Sequence, residues 1–128
     1  MSSKISNGVE VHVETFYQSE YSRPEQHEFV FAYRITLHNL NDFPVRLLRR
    51  KWHILDSDGE MRDVEGEGVV GVQPLIEAGC SYQYISACNL KTEIGKMHGN
   101  YILENVTNKK MFTVAIPAFI MEAPMKLN

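Results

Sequence analysis

Between Phe29 and Leu37 a large apolar residue stands at every second position (Phe29, Phe31, Tyr33, Ile35 and Leu37), while the opposite face (Val30, Ala32, Arg34, Thr36, His38) is mixed. Successive side chains of a strand point to opposite faces, so a period of two predicts a strand with one continuous apolar face. An amphipathic helix, whose apolar positions recur every three or four residues, does not fit. A chain that commits a strand to such a face must supply a second apolar surface to cover it. Val9, Val11 and Val13 alternate with Glu10, His12 and Glu14 in the same way, and Tyr82 and Tyr84, Tyr101 and Leu103, and Phe112, Val114 and Ile116 supply further short segments. Turn-separated strands without an amphipathic helix predict an all-β sandwich of two antiparallel sheets.

The punctuation agrees with that reading. Glu20 to Glu28, with Pro24, reads as a loop, Asn39-Leu40-Asn41-Asp42 as a turn, and Asp56-Ser57-Asp58-Gly59 as a hairpin turn with Asx-type residues. Glu60 to Glu65 is a short strand, and Asn105 to Asn108 is a turn. Ser86 to Gly95 has no clear period and is expected to hold one helical turn. Pro117 marks a sheet edge or the end of its strand. From Phe43 to Asp56 the apolar phase changes, from odd (Val45, Leu47) to even (Leu48, Trp52, Ile54). A one-residue slip flips every later side chain, so a β-bulge or bend is expected between Leu48 and Lys51. Trp52 is expected to anchor the core between the sheets.

At 128 residues, 44% hydrophobic and 23% charged, the chain has the composition of a soluble globular protein and is expected to form one domain over 1–128. Its net charge of −3 provides no global basic field for DNA or an anionic membrane. The start, Met1 to Gly8, lacks the apolar core of a secretory signal, and the apolar run Ala115 to Met121 is far short of a span. The expected location is cytoplasmic, with no membrane partner. Cys80 and Cys88 on one strand would stand about 26 Å apart, at roughly 3.3 Å per residue, too far for a disulfide. Both are expected to be buried small hydrophobes.

Gly66-Glu67-Gly68-Val69-Val70-Gly71-Val72-Gln73-Pro74 is the stretch where contact with other molecules is expected. Its G-x-G-x-x-G spacing matches a nucleotide-binding pattern, but that pattern needs a helix opening at the third glycine, and Pro74 leaves no room for one. No Gly-Lys-Ser/Thr follows, so it is not a P-loop either. Two readings stay open: a turn whose glycines serve only the backbone, or a concave nest of N–H groups that holds a phosphate or carboxylate. The valines are either tucked beneath the loop or offered to a partner.

Arg46, Arg49, Arg50 and Lys51 form the one basic cluster. It is either a solvated strand or, through Arg46 and Arg50, countercharge for a phosphate. Asp56, Asp58 and Glu60 lack the remaining ligands of an EF-hand, so turn chemistry explains them and no metal site is expected. The five histidines show no i,i+4 pair and no H-E-x-x-H; His12, His38 and His53 are read as surface or satisfied core residues. No nucleophile elbow is present, and no catalytic residue is assigned.

With the strands placed, a family resemblance emerges. Trp52-His53-Ile54-Leu55-Asp56-Ser57-Asp58-Gly59-Glu60 is similar to the Trp-x-Ile-x-Asp-x-x-Gly hairpin of the ApaG family. Val64 to Pro74, Tyr84-x-Ser86, Leu90-x-Thr92, Gly95-x-Met97-x-Gly99-x-Tyr101 and Ile116-Pro117-x-Phe119 extend the likeness along nearly the whole chain. Ala78-Gly79 departs from the usual Pro-Gly and leaves that turn looser. The resemblance implies a fibronectin type III-like, immunoglobulin-like sandwich and an association with cobalt and magnesium resistance or efflux. It also implies a pyrophosphate role for the glycine motif, and its eukaryotic relatives imply partner binding. The resulting expectation is a non-enzymatic module without cofactor that binds an unidentified protein through Gly66, Gly68, Val69, Val70 and Gly71. The alternative is binding of ATP, a diadenosine polyphosphate or pyrophosphate by that loop; hydrolysis ranks last. A sheet-edge homodimer is a further arrangement the pattern allows.

Overall fold

The computed structural model describes residues 2–124. Met1 and residues 125–128, part of the expected 1–128 domain, lie outside the described residues. In chain order the strands are β1 (Ser2–Ser6), β2 (Val9–Tyr17), β3 (Phe29–Asn39), β4 (Val45–Asp56), β5 (Met61–Glu67), β6 (Leu75–Ile76), β7 (Ser81–Leu90), β8 (Ile94–Asn105) and β9 (Met111–Glu122). One sheet has the order β1-β2-β3-β7; the other has β5-β4-β8-β9, with β6 pairing the start of β4. Every pairing is antiparallel. The fold is an all-β sandwich of two antiparallel sheets, as the alternating pattern predicts, and fibronectin type III-like, as the family resemblance implies.

The core is the sum of the inward faces. Phe31, Tyr33, Ile35 and Leu37 of β3 are buried, and so are Val9, Val11 and Val13 of β2 beside them. Trp52 joins the two layers: its ring meets Tyr33 edge-on with centroids 5.5 Å apart and Phe119 at 5.9 Å. Such pairs contribute roughly 0.5–1.5 kcal/mol each beyond the area they bury. Side-chain bonds stitch β9 to the loop and edge of the other sheet. Asn7 Nδ2 donates to Thr113 O at 2.6 Å, and the Ala115 N–H donates to Ser6 Oγ at 2.9 Å.

The expected bulge is present. The β4–β8 register shifts between Leu47 and Arg49, leaving Leu48 as the extra residue. Before it Val45 and Leu47 face inward; after it Trp52 and Ile54 do. A second irregularity lies where Met97 pairs Phe119 and Gly99 pairs Ile116, so His98 opposes both Pro117 and Ala118. Proline is tolerated at this bulge because β9 is an edge strand and no ladder bond is lost.

Two expectations need correction, those for Ser86 to Gly95 and for Cys80. Ser86 to Gly95 holds no helical turn: β7 runs on to Leu90 and β8 begins at Ile94. The small residues Ser86 and Ala87 blur a period that Cys88 and Leu90 nonetheless keep. Pro117 marks a sheet edge, one of its two expected roles, and its strand continues past it to Glu122. Cys80 is exposed, just before β7, whereas Cys88 is buried; both are free thiols. The sequence also concealed β1, whose single large apolar residue, Ile5, is exposed. Backbone pairing to β2 holds that strand, and backbone pairing leaves no side-chain pattern.

Candidate functional site

The glycine stretch leaves the edge strand β5 and returns at β6, so it spans the rim of the second sheet. Gly66 pairs with Arg50 across the β4–β5 ladder. A β-carbon at Gly66 would lie 2.8 Å from Arg50 Nη1, so with glycine there the guanidinium lies close against the backbone, and a side chain would push it aside. From there Arg50 Nη1 donates to Glu67 O at 3.0 Å and to Gly68 O at 2.9 Å. The Leu48 bulge completes the anchor. Its carbonyl accepts from the Gly68 N–H at 2.7 Å and from Gln73 Nε2 at 3.0 Å. Arg46 Nη1 donates to Gln73 O at 3.0 Å.

The tip is a tight hairpin. Val69 N–H donates to Val72 O at 2.8 Å and Val72 N–H to Val69 O at 3.0 Å. Val70 (φ 46°) and Gly71 (φ 78°) both occupy the left-handed region, as a type I′ turn demands. Glycine suits that region, but a β-branched residue there is a genuine outlier. The three valines divide: Val69 is fully buried, while Val70 and Val72 are 62% and 50% exposed.

Arg46 and Arg50 therefore both reach the loop, but the contacts they make are to its carbonyl oxygens. The N–H groups of Gly68, Val69 and Val72 are likewise engaged within the protein. The bulge places Arg46, before it, on the same outer face as Arg49 and Lys51, after it, and turns only Arg50 inward. Arg50 shares the inner face with its ladder partner Tyr101, while Arg49 and Lys51 lie exposed on the outer face, where Lys51 pairs with Glu65 at 3.3 Å.

Beneath the loop lies a buried phenol layer. Tyr84 and Tyr101 bring their hydroxyls to 2.5 Å, and Tyr33 completes the group. Burial pushes the ionisation of all three above the ordinary phenol value, while the Arg50 charge acts the other way. Beside β6, buried Asn39 closes the chain on itself. Its Nδ2 donates to Phe43 O at 2.8 Å and to Ile76 O at 3.1 Å, and its Oδ1 accepts from Asn41 N–H. Neither the phenol pair nor the Asn39 clasp was visible in the sequence, where Asn39 read as a plain turn residue.

Carboxylate oxygens of Asp56, Asp58 and Glu60 lie within 4.8 Å of one another at the β4–β5 turn. A cation of the chain is already there, since Lys91 Nζ stands 3.2 Å from Glu60 Oε1. Asp58 Oδ1 accepts the Glu60 N–H at 2.9 Å, the Asx-type bond expected of that turn. His53 faces outward with its Nδ1 2.7 Å from Asp63 Oδ1, and its ring stacks on His98. Among the described residues no helix is long and apolar enough to cross a membrane.

Comparison with known proteins follows the same lines. The family model for the ApaG domain matches residues 19–105. Protein ApaG of Proteus mirabilis is 44% identical over 96% of this chain and 98% of its own length. Protein ApaG of Sinorhizobium fredii is 42% identical over 94% and 92%. The crystal structure of a Bordetella pertussis protein assigned the name ApaA superposes with a TM-score of 0.88 at 36% identity, covering 92% of this chain and 95% of that one.

Proposed function

The chain belongs to the ApaG domain family, and from that premise we propose that it is a non-catalytic binding module whose Val70-Gly71-Val72 tip engages a protein partner. One observation carries this reading. Val70 is a β-branched residue in the left-handed region, with its side chain in solvent. Folding gains nothing there that Asn or Gly would not supply at less strain. Strain kept at an exposed position is explained by what the side chain touches when a partner is present. The base of the loop is rigid by contrast, because Val69 is buried and the Leu48 and Arg50 bonds hold Gly68. A rigid stem that presents two aliphatic side chains loses little entropy on binding. In this reading the module acts in the cytoplasm, and any bearing on cobalt or magnesium efflux is exerted through the partner.

A pyrophosphate site at the same loop has less support. It asks for free N–H groups along the loop, and those of Gly68, Val69 and Val72 are spent on the chain's own carbonyls, while Arg46 and Arg50 each turn Nη1 to such carbonyls rather than outward. Calorimetric titration with ATP, with and without Mg²⁺, tests that alternative directly.

The partner reading is tested by affinity capture from lysate with the wild type and Val70→Asn. It expects a protein retained by the wild type and lost by the variant, although the variant is no less stable. Identical retained proteins would end it. Val69→Asp is unsuitable for this purpose, because burying a carboxylate there would disturb the fold.

A further inference from the structure

We infer that the outer face of the β5-β4-β8-β9 sheet carries a site for a borderline divalent transition-metal ion (Ni²⁺, Cu²⁺ or Zn²⁺), with His53 and His98 as ligands and Asp63 orienting His53. His53 on β4 and His98 on β8 are direct partners in the antiparallel ladder. Side chains so placed have β-carbons about 4.5–5.5 Å apart, within reach of one another. Their rings are stacked, with centroids 5.0 Å apart and planes inclined by 29°. On the next strand Asp63 is the ladder partner of His53 and accepts from its Nδ1 at 2.7 Å. That contact assigns the proton to Nδ1 and leaves Nε2 with its lone pair, the tautomer a ligating imidazole needs. The same carboxylate–imidazole arrangement supports many metal-bound histidines by fixing the ring and raising its basicity.

The surroundings suit an ion arriving from solvent. His98 is exposed, and it opposes the β9 bulge at Pro117 and Ala118, where exposed Ala118 contributes only a methyl group. The His53 side chain is 26% exposed, so an ion can reach its ring from solvent while Asp63 holds Nδ1, and it is the exposed His98 ring that turns to meet the ion. The cations nearest in register on this face are Lys51, paired with Glu65, and Lys96, two residues along β8. Imidazole pairs favour Ni²⁺, Cu²⁺ and Zn²⁺, whereas Mg²⁺ requires oxygen ligands, so the donor set itself selects the ion class. A scan for i,i+4 histidines misses the pair because its members meet only through strand register.

The test is titration of the purified protein with NiCl₂, ZnSO₄ and MgCl₂ in separate experiments, followed by calorimetry and backbone amide NMR. One equivalent of Ni²⁺ or Zn²⁺ should bind and move the resonances of β4 and β8 around His53 and His98, and Mg²⁺ at the same concentration should not. His53→Gln and His98→Gln should each abolish the stoichiometric step, and Asp63→Asn should weaken it about tenfold. Absence of a stoichiometric step overturns the proposal. So does binding that survives either histidine variant, since that places the ion elsewhere or on one histidine alone. Should a variant fail to fold, paramagnetic broadening by Cu²⁺ in the wild type decides: broadening centred on another part of the chain refutes the site.

Discussion

The Arg50 guanidinium occupies the space that a side chain on Gly66 would fill, and from that position it holds the Glu67 and Gly68 carbonyls. The two residues form one unit, so their substitutions should not add. Gly66→Ala displaces the guanidinium and forfeits hydrogen bonds from a charged donor, a loss of about 1.5–3 kcal/mol. In an Arg50→Ala background the same change should be nearly neutral. A double-mutant cycle by urea unfolding measures the coupling, and additive effects would contradict the unit.

Gly68 and Gly71 both have positive φ, yet they should respond differently to alanine. At Gly71 an added β-carbon meets nothing within 4 Å, so only the left-handed strain is felt, roughly 1–2 kcal/mol. At Gly68 the β-carbon would collide with the Val72 carbonyl as well. Gly68→Ala should therefore be clearly the more destabilising of the two in denaturant titrations.

Val70→Asn should raise stability by about 1 kcal/mol, because asparagine tolerates the left-handed region that valine resists. Thermal unfolding reads this out. A fall in the midpoint would mean that the valine side chain makes stabilising contacts its exposure does not suggest.

Alkaline pH should unfold the protein through its phenols. The folded-state pKa values of Tyr33, Tyr84 and Tyr101 are raised above the ordinary 10.0, chiefly by burial. A raised folded pKa means that these groups contribute stability fully below the unfolded value and lose it as pH climbs past 10 toward the folded one. In a tyrosinate absorbance titration, the buried three should ionise only together with loss of structure. Early ionisation of all six tyrosines without unfolding would contradict the buried layer.

Asn39→Asp should destabilise more than Asn39→Ala. The asparagine donates from a buried site to the Phe43 and Ile76 carbonyls, and a carboxylate would set oxygen against oxygen there. The alanine variant should lose about 1–3 kcal/mol, mostly by stranding those acceptors, and the aspartate variant more. Equal midpoints in chemical unfolding would argue against the clasp.

Much of the fold was legible because burial imposes its period on the residues that suffer it. Phe29 to Leu37 keeps a large apolar residue at every inward position because it is a central strand of its sheet, with β2 on one side and β7 on the other. The bulge was legible too, since Val45, Leu47, Trp52 and Ile54 cannot all face inward on a regular strand. Strand β1 was not, because an edge strand held chiefly through its backbone can carry Ser, Lys and Ile without an apolar period. At the candidate site the glycines pointed to the right segment but not to its use. Three valines in a row of similar residues could not reveal that Val69 goes in while Val70 and Val72 stay out.

The residues alone determined the sandwich, the phase change at Leu48, the turns and the family, for each depends on neighbours along the chain or on a pattern spread over it. Tertiary structure decided which distant groups meet: Arg50 with Gly66, Tyr84 with Tyr101, His53 with His98. The physical reason is that an antiparallel ladder joins residues far apart in sequence. Alternation tells a side chain which face to take, while only register tells it whom it will find there.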